Sequence, residues 1–533
     1  MSLCEINSGR GHSVIPTLAY TVLIIVAEII TPVCMKVVTQ ANMRTYYFVH
    51  SWWKNVRAFS SGPSPKLPWT EYQPKEYQGP RYEEIQKLRS THLAPCITSH
   101  YKNSLLVHQG KNQWLFDYKG RRYLDMFGGI VTISVGHCHP KVNEALKEQV
   151  DTLWHTTNIY LHPKVHEYAE KLTSKLPGDL KVVYFVNSGS EANDLAMLLA
   201  RLHTKHFDII SLRNGYHGMS PYTMGLTALS AWKYPIPTGH GIHHAMNPDV
   251  YQGLWGGAQC RDSPVQPDRS CNCPPQHCIA CNRYYDQVEE ILKYSIPRQR
   301  LAAFIAESIQ GVGGTVQFPK GYLKKVYELV RNNGGICIAD EVQTGFGRTG
   351  EHFWGFEMHG VQPDIVTMAK GIGNGFPLAA VVTTPQIASS LNQALHFNTF
   401  GGNPLACSVG LAVLQVIEEE NTQKNCHEVG TYLLTSLVRL RDLHSCVGDV
   451  RGKGLMIGIE LVSDKTSRTP MNRSQFSAIW EDCKDMGLLI GCGGLHGNVF
   501  RLKPPMCITK EDADFTVAVL DRALKQHTQR KLQ

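Results

Sequence analysis

From about residue 180 the chain alternates short, nearly unbroken apolar runs with amphipathic stretches. Lys181–Val186 (KVVYFV) is rich in β-formers and closes on Asn187-Ser188-Gly189-Ser190. Ser190-Glu191-Ala192-Asn193 then opens a helical run through DLAMLLARLH. Further strands are predicted over 207–212 (FDIISL), 301–308 (LAAFIAES), 335–341 (GICIADE), 364–370 (DIVTMAK) and 378–384 (LAAVVTT). In 319–333, Leu323, Val326, Tyr327 and Val330 recur at helical spacing. Near-continuous apolar strands separated by helices indicate a parallel sheet covered on both faces. Ligands gather at the carboxyl ends of such strands, so the residues after Val186, Ala339 and Ala369 should converge. Stretches 447–465 and 485–502 read as further strands flanked by helices.

The first sixty residues follow a different pattern. Residues 14–35 are strongly apolar and nearly long enough to span a membrane, but Pro16, Glu28 and Pro32 interrupt them. No acidic residue occurs between Glu28 and Glu71, whereas Lys36, Arg44, Lys54 and Arg57 do. An acid-free leader containing Arg and Ser reads as a mitochondrial transit peptide over residues 1–59, in preference to a span or a basic tail. Arg57-Ala58-Phe59-Ser60 resembles a matrix-processing site, which implies a mitochondrial-matrix location without stable membrane association. Residues 60–80, with five prolines, have linker composition.

Composition narrows the field. The 533 residues are 43% hydrophobic and 18% charged, enough to bury a large core and incompatible with wholesale disorder. The net charge of +8 is spread thinly, with no basic run interleaved with aromatics, so nucleic acid is not an expected partner. Most of the sixteen cysteines stand singly in apolar runs, which suits a reducing compartment. Residues 258–283 are the exception, with Cys260, Cys271, Cys273, Cys278 and Cys281 beside His277. Cys278-x-x-Cys281 has metal-ligand spacing, but a second such pair is missing. Structural zinc, a disulfide and plain loop thiols all remain open, and no metal site is assigned.

Three predicted strand ends carry complementary chemistry. Gly189 and Ser190 open a helix whose free N–H groups suit a phosphate. Asp340 is a carboxylate at a buried strand end and needs a positive or donor partner. Lys370 ends another strand, and a desolvated lysine can attack a carbonyl. Together they match pyridoxal phosphate, with Lys370 bonding its aldehyde and Asp340 on its ring nitrogen. The GIGNG run after Lys370 lacks the glycine spacing of a dinucleotide fingerprint.

The strings VNSGSEAND, YHG, ADEVQTGFGR, TMAKGIGNGFP and FNTFGGNP resemble the class III, ω-amino-acid type of pyridoxal-phosphate aminotransferases, from about residue 85 onward. The resemblance implies an α/β, fold type I architecture with a mostly parallel seven-stranded central sheet. The large cofactor domain would span 151–407. An N-terminal segment, 81–150, would join a C-terminal part, 408–533, in a smaller α/β domain. A homodimer or homotetramer is expected, with sites at the subunit boundary. By resemblance, Tyr216 stacks on the cofactor ring with His217 beside it, and Gln343 bonds its phenolic oxygen. Thr399 reaches the phosphate from the neighbouring subunit, and Arg501 pairs a substrate carboxylate. GIVTISVGHCHP, CRDSPVQ and the cysteine insertion favour the branch that moves an amino group from alanine to glyoxylate. 3-Aminoisobutyrate with pyruvate, and methylated arginines as donors, are further expected activities. A phospholyase or another ω-amino-acid aminotransferase of this family is the alternative; racemisation or a binding role on the same scaffold is more distant. Where the family commonly reads Glu-Pro-Ile-Gln-Gly-Glu, this chain reads Glu307-Ser308-Ile309-Gln310-Gly311-Val312. Ser308 should loosen that turn slightly, and Val312 removes a charge on the substrate side.

Overall fold

Three short strands, β1 (Val107–Lys111), β2 (Trp114–Asp117) and β3 (Arg122–Asp125), form an antiparallel meander. Its first turn uses Asn112 at φ 51°, a left-handed conformation that asparagine tolerates better than most residues. The computed structural model describes residues 64–274 and 277–532. The leader 1–59, its apolar stretch, the processing site and the first residues of the Pro-rich segment lie outside the described residues. From Ser64 to residue 80 that segment is neither helix nor strand, as its prolines dictate. It nevertheless lies against the meander: Tyr72 Oη donates to Gln109 Oε1 at 3.0 Å, and Leu67 packs on the core. Apolar and aromatic residues between the prolines make it an extended strap.

The central sheet holds seven strands: β4 (Val182–Val186), β5 (Asp208–Leu212), β6 (Ile242–Ala245), β7 (Leu301–Glu307), β8 (Ile336–Asp340), β9 (Ile365–Met368) and β10 (Ala379–Thr383). Their order is β4-β10-β9-β8-β7-β5-β6, and only β10 runs antiparallel to its neighbours. Every residue of β7 and β8 is buried, which explains their unbroken apolar character. Helix α1 (Gly189–Thr204) covers one face with Ala192, Leu195, Ala196 and Leu199. Helices α2 (Ile279–Tyr294) and α3 (Tyr322–Asn332) cover the other. Leu323, Val326 and Val330 of α3 are at most 1% exposed, each worth about 1.5–3 kcal/mol of burial.

Six strands follow: β11 (Val447–Lys453), β12 (Met456–Asp464), β13 (Thr469–Pro470), β14 (Leu488–Leu489), β15 (Gly491–Gly493) and β16 (Val499–Leu502). Four of them form a sheet in the order β11-β12-β16-β15, with β13 on β12. β14 instead pairs in parallel with β3, joining the meander to the C-terminal part. Among the described residues no helix is long and apolar enough to cross a membrane.

Candidate active site

The carboxyl ends of β4, β7, β8 and β9 deliver Gly189, Glu307, Asp340 and Lys370 to one place. Register puts Glu307 opposite Asp340, and Asp340 opposite Thr367. Lys370 follows β9 in a tight turn at φ 50°, a left-handed backbone costing roughly 1–3 kcal/mol for a side-chain-bearing residue. The turn is held from outside: Asn374 Oδ1 accepts from Ser134 N at 2.9 Å and Val135 N at 3.1 Å, and Ser134 Oγ donates to Gly371 O at 2.7 Å. Burial pushes the Lys370 amine below the usual lysine range; Asp340 pulls it up and Arg501 pushes it down. Among the described residues no hydrogen bond or ion pair holds its Nζ.

Asp340, 3% exposed, sits in a network of fixed donors. Its Oδ2 accepts from Asn193 Nδ2 at 2.9 Å and pairs with His217 Nδ1 at 2.8 Å; its Oδ1 accepts from Val342 N at 3.1 Å. Burial alone would lower the His217 pKa, but the Asp340 carboxylate outweighs it and raises it. Asn193 is locked in turn, accepting from Thr367 Oγ1 at 2.7 Å and donating to His217 O at 2.8 Å. This asparagine, three residues after Ser190 on the sheet-facing side of α1, is missing from the sequence-derived set.

Three further charges line the same space. Arg501 on β16 is 5% exposed, with Nε donating to Cys492 O at 2.9 Å and its guanidinium 5.5 Å from the centre of the Phe127 ring. It has no acidic ion-pair partner among the described residues, and burial holds its pKa down to about 10. Lys503, two residues on and fully buried, donates to Gln343 Oε1 at 2.9 Å. Burial, with Arg501 next, drives its pKa well below the lysine range. Glu307 accepts from Gly311 N at 2.6 Å and Tyr216 N at 3.1 Å, and burial raises its pKa. A buried charge needs compensation, and Glu307 with Asp340 answers this cationic group. Neither Lys503 nor Glu307 is in the sequence-derived set, although the i, i+2 spacing of Arg501 and Lys503 suggests one strand face.

Gly189 and Ser190 open α1, capped by Ser188 accepting from Glu191 N at 3.2 Å. A Cβ on Gly189 would meet Val342 at 3.3 Å and Ala369 at 3.7 Å, so this helix start lies against the residue preceding Lys370. Ser190 Oγ accepts from Met219 N at 3.2 Å. Across from it, Gly218 at φ 126° has no room for a side chain: a Cβ would lie 2.6 Å from Ser190 Oγ. Tyr216 is half-buried, edge-on to Trp232 at 5.1 Å. Thr399 stands apart from the group, exposed on its loop. The next residue back, Asn398, is tied to the cradle by Asn187 Nδ2 at 3.1 Å. Ser308 has a contact of its own: its Oγ donates to the buried Glu341 at 2.5 Å.

The family model for aminotransferase class-III matches residues 97–524. The chain is 56% identical over 478 residues to human "Alanine--glyoxylate aminotransferase 2, mitochondrial", covering 90% of this chain and 93% of that protein. The Pongo abelii protein of the same name is 54% identical over 509 residues, covering 95% and 98%. Among solved structures, a Bacillus anthracis aminotransferase matches with a TM-score of 0.76 at 31% identity, over 84% of this chain and 100% of that one. An Arthrobacter phospholyase in complex with phosphoethanolamine matches with a TM-score of 0.75 at 31% identity, over 83% and 99%.

Proposed function

The chain belongs to the class-III aminotransferases, enzymes that depend on pyridoxal phosphate, and on that footing we propose that it moves the amino group of L-alanine to glyoxylate, giving pyruvate and glycine. The residues fit the cofactor. An amine without a hydrogen-bonding partner among the described residues, a carboxylate held by three donors and a helix start kept open by Gly218 suit its aldehyde, ring nitrogen and phosphate respectively. When bound, pyridoxal phosphate supplies a carbonyl for the amine and a protonated ring that accepts the electron pair of a broken Cα–H bond.

The chain's own residues do the rest. Lys370, its amine favoured in the neutral form by burial, takes the substrate's Cα proton on Nζ. Asp340, with His217 and Asn193 fixing it, would hold the ring nitrogen's proton. Gln343, oriented by Lys503, would bond the phenolic oxygen. Gly189 and Ser190 would hold the phosphate, and Tyr216 would cover the ring. Arg501 binds the carboxylate of each amino and oxo acid.

A buried Arg501 without an acidic ion-pair partner among the described residues is the observation that carries this reading. Val312, whose carbonyl accepts from Gly494 N at 3.0 Å beside it, offers no charge to occupy the guanidinium. Small acids with a carboxylate next to the reacting carbon therefore find it free. Purified enzyme should be assayed with alanine, 3-aminoisobutyrate, methylated arginines and phosphoethanolamine as donors, crossed with glyoxylate and pyruvate. The highest kcat/KM is expected for alanine with glyoxylate. Phosphate release from phosphoethanolamine without oxo-acid formation would make it a phospholyase instead.

We further propose a homodimer that completes each site with Thr399 of the second copy. The exposed apolar side chains of Ile159, Leu161, Leu395 and Phe400 support it, since a patch of that kind marks an interface. His155 lies 5.8 Å from Phe400, so the two exposed loops adjoin. The relatives named above are mitochondrial by name. We propose the mitochondrial matrix for this chain, with residues before Ser60 as the targeting segment. We propose, too, that the folded part divides into a smaller domain, 81–150 with 408–533, and a large one, 151–407.

A further inference from the structure

The insertion between β6 and α2 gathers thiols that transamination does not use. The Sγ atoms of Cys260, Cys271 and Cys273 lie within 4.8 Å of one another, and Cys260 is 3.9 Å from Cys273. Cys278, at the start of α2, lies close enough to act electrostatically on Cys260 and Cys273, but outside that 4.8 Å group. We propose that Cys260, Cys271, Cys273 and Cys278 bind one structural Zn²⁺ as thiolates.

The distances favour a metal over a covalent link. Four sulfurs about 2.3 Å from a tetrahedral zinc stand about 3.8 Å apart, close to the Cys260–Cys273 separation. A disulfide would need about 2.05 Å, and all of these cysteines are free. Backbone donors are already aimed at the sulfurs. Ile279 N donates to Cys273 Sγ at 3.3 Å, and the backbone N–H groups of Ala280 and Cys281 at the start of α2 favour the Cys278 thiolate. Such N–H···S bonds spread the negative charge of a tetrathiolate and orient its ligands. Cys260 is 1% exposed and the other three thiols are half-buried, so the cluster is anchored in the core on one side.

The Cys278-x-x-Cys281 spacing is not the ligand pair. Cys281 sits one turn into α2 and is buried beside Gly321 and Tyr322. On binding, four S–H bonds are exchanged for four Zn–S bonds and four protons pass to solvent. The contact from Cys271 Sγ to Ala258 O at 2.9 Å is given up with its proton. The metal would brace a long segment without regular structure. That segment is also held by Arg261, whose guanidinium pairs with Asp449 of β11 at 2.7 Å and 3.0 Å, and by Arg269, which donates to Tyr251 O and Gly253 O.

The test is metal analysis of the cofactor-loaded enzyme after desalting. One zinc per chain is expected, released when a mercurial blocks the thiols. Cys273→Ser and Cys278→Ser should lose it, Cys281→Ser should keep it, and all should retain the cofactor's absorbance. Should the serine variants aggregate, wild-type enzyme stripped by a chelator should melt lower and recover with Zn²⁺ but not Mg²⁺. Cobalt put in its place should show tetrahedral thiolate bands. Wild-type enzyme without zinc, zinc retained after both ligand substitutions, iron in its place, or a native disulfide among these cysteines would each overturn the proposal.

Discussion

Arg501→Ala removes a guanidinium that is 5% exposed and anchored to Cys492 O, and leaves a substrate carboxylate facing a buried void. Truncating one side of a buried, hydrogen-bonded charge pair costs about 2–5 kcal/mol. Here the lower half of that range applies. Lys503 remains close by, and relief of repulsion among Arg501, Lys503 and Lys370 offsets part of the loss. About 2–3 kcal/mol is roughly a thirty- to hundred-and-fifty-fold fall in kcat/KM. It should appear mainly as a raised KM for both alanine and glyoxylate. The assay compares alanine with an amine donor that lacks a carboxylate, which should lose little. Removing Arg501 also lifts one of the influences holding Lys370 down. The acid limb of the kcat profile should therefore move to higher pH, since Lys370 must be deprotonated to take the proton. Arg501→Lys should recover only part of the loss, because an ammonium cannot grip a carboxylate with a planar fork. Val312→Glu should weaken alanine by pairing with Arg501 and relatively improve long ω-amino donors. Native KM for both substrates in Arg501→Ala, with the donor ranking unchanged in Val312→Glu, would refute the anchor.

Lys370→Ala should abolish turnover and the absorbance of the lysine-bound cofactor while circular dichroism stays native; repeated turnovers by this variant would exclude its role. Asp340→Ala should slow kcat by about 10²–10³-fold or more, as an electrostatic contribution in a buried site, and stopped-flow traces of each half-reaction would show it. Asp449→Asn leaves Arg261 without an ion-pair partner and Arg451 with Glu460 alone, and should cost about 3–5 kcal/mol in chemical denaturation. Burial would raise the Asp449 pKa, but the two arginines outweigh it and hold it at about 2, below the ordinary 3.8. Its stabilisation is thus full above pH 3.8 and lost as pH falls through about 2, so the wild-type advantage should vanish at the acid end. N-terminal sequencing of protein recovered from mitochondria should start at or near Ser60; retention of residues 14–35 in a membrane fraction would support a membrane span instead.

What could be read from the sequence follows from how each feature is encoded. β7, β8 and β9 announce themselves because strands buried on both faces need unbroken apolar runs, and their ends carry Asp340 and Lys370. β6 does not: Ile242–Ala245 is a short edge strand containing His243 and His244, and only its pairing with β5 defines it. Glu307 stood in plain view at the end of β7, but its role depends on Gly311 folding back to donate to it, a tertiary fact. Lys503 is buried only because Gln343 and Gly311 accept from it. Asn193 and Asn374 read as ordinary polar residues until the chain closes around them. The cysteine insertion shows the same limit, since its thiols meet at spacings that no linear motif specifies.

The parallel pairing of β14 with β3, which sets Leu488 beside Leu124, has a consequence for how the molecule comes into being. A chain made or imported amino end first presents its meander, then Asp340 and Lys370, long before the segment that completes the meander sheet. Contacts this distant in sequence close late and slow folding. Arg501 and Lys503 arrive with that same last segment, so the substrate anchor and the orienting partner of Gln343 come only once the C-terminal part has emerged. Until then the two buried acids lack two of their cations, and the apolar edge of β3 lacks its cover. A partly translocated chain therefore has no competent site to hold an amino acid, and its exposed edge is where a chaperone has most to protect.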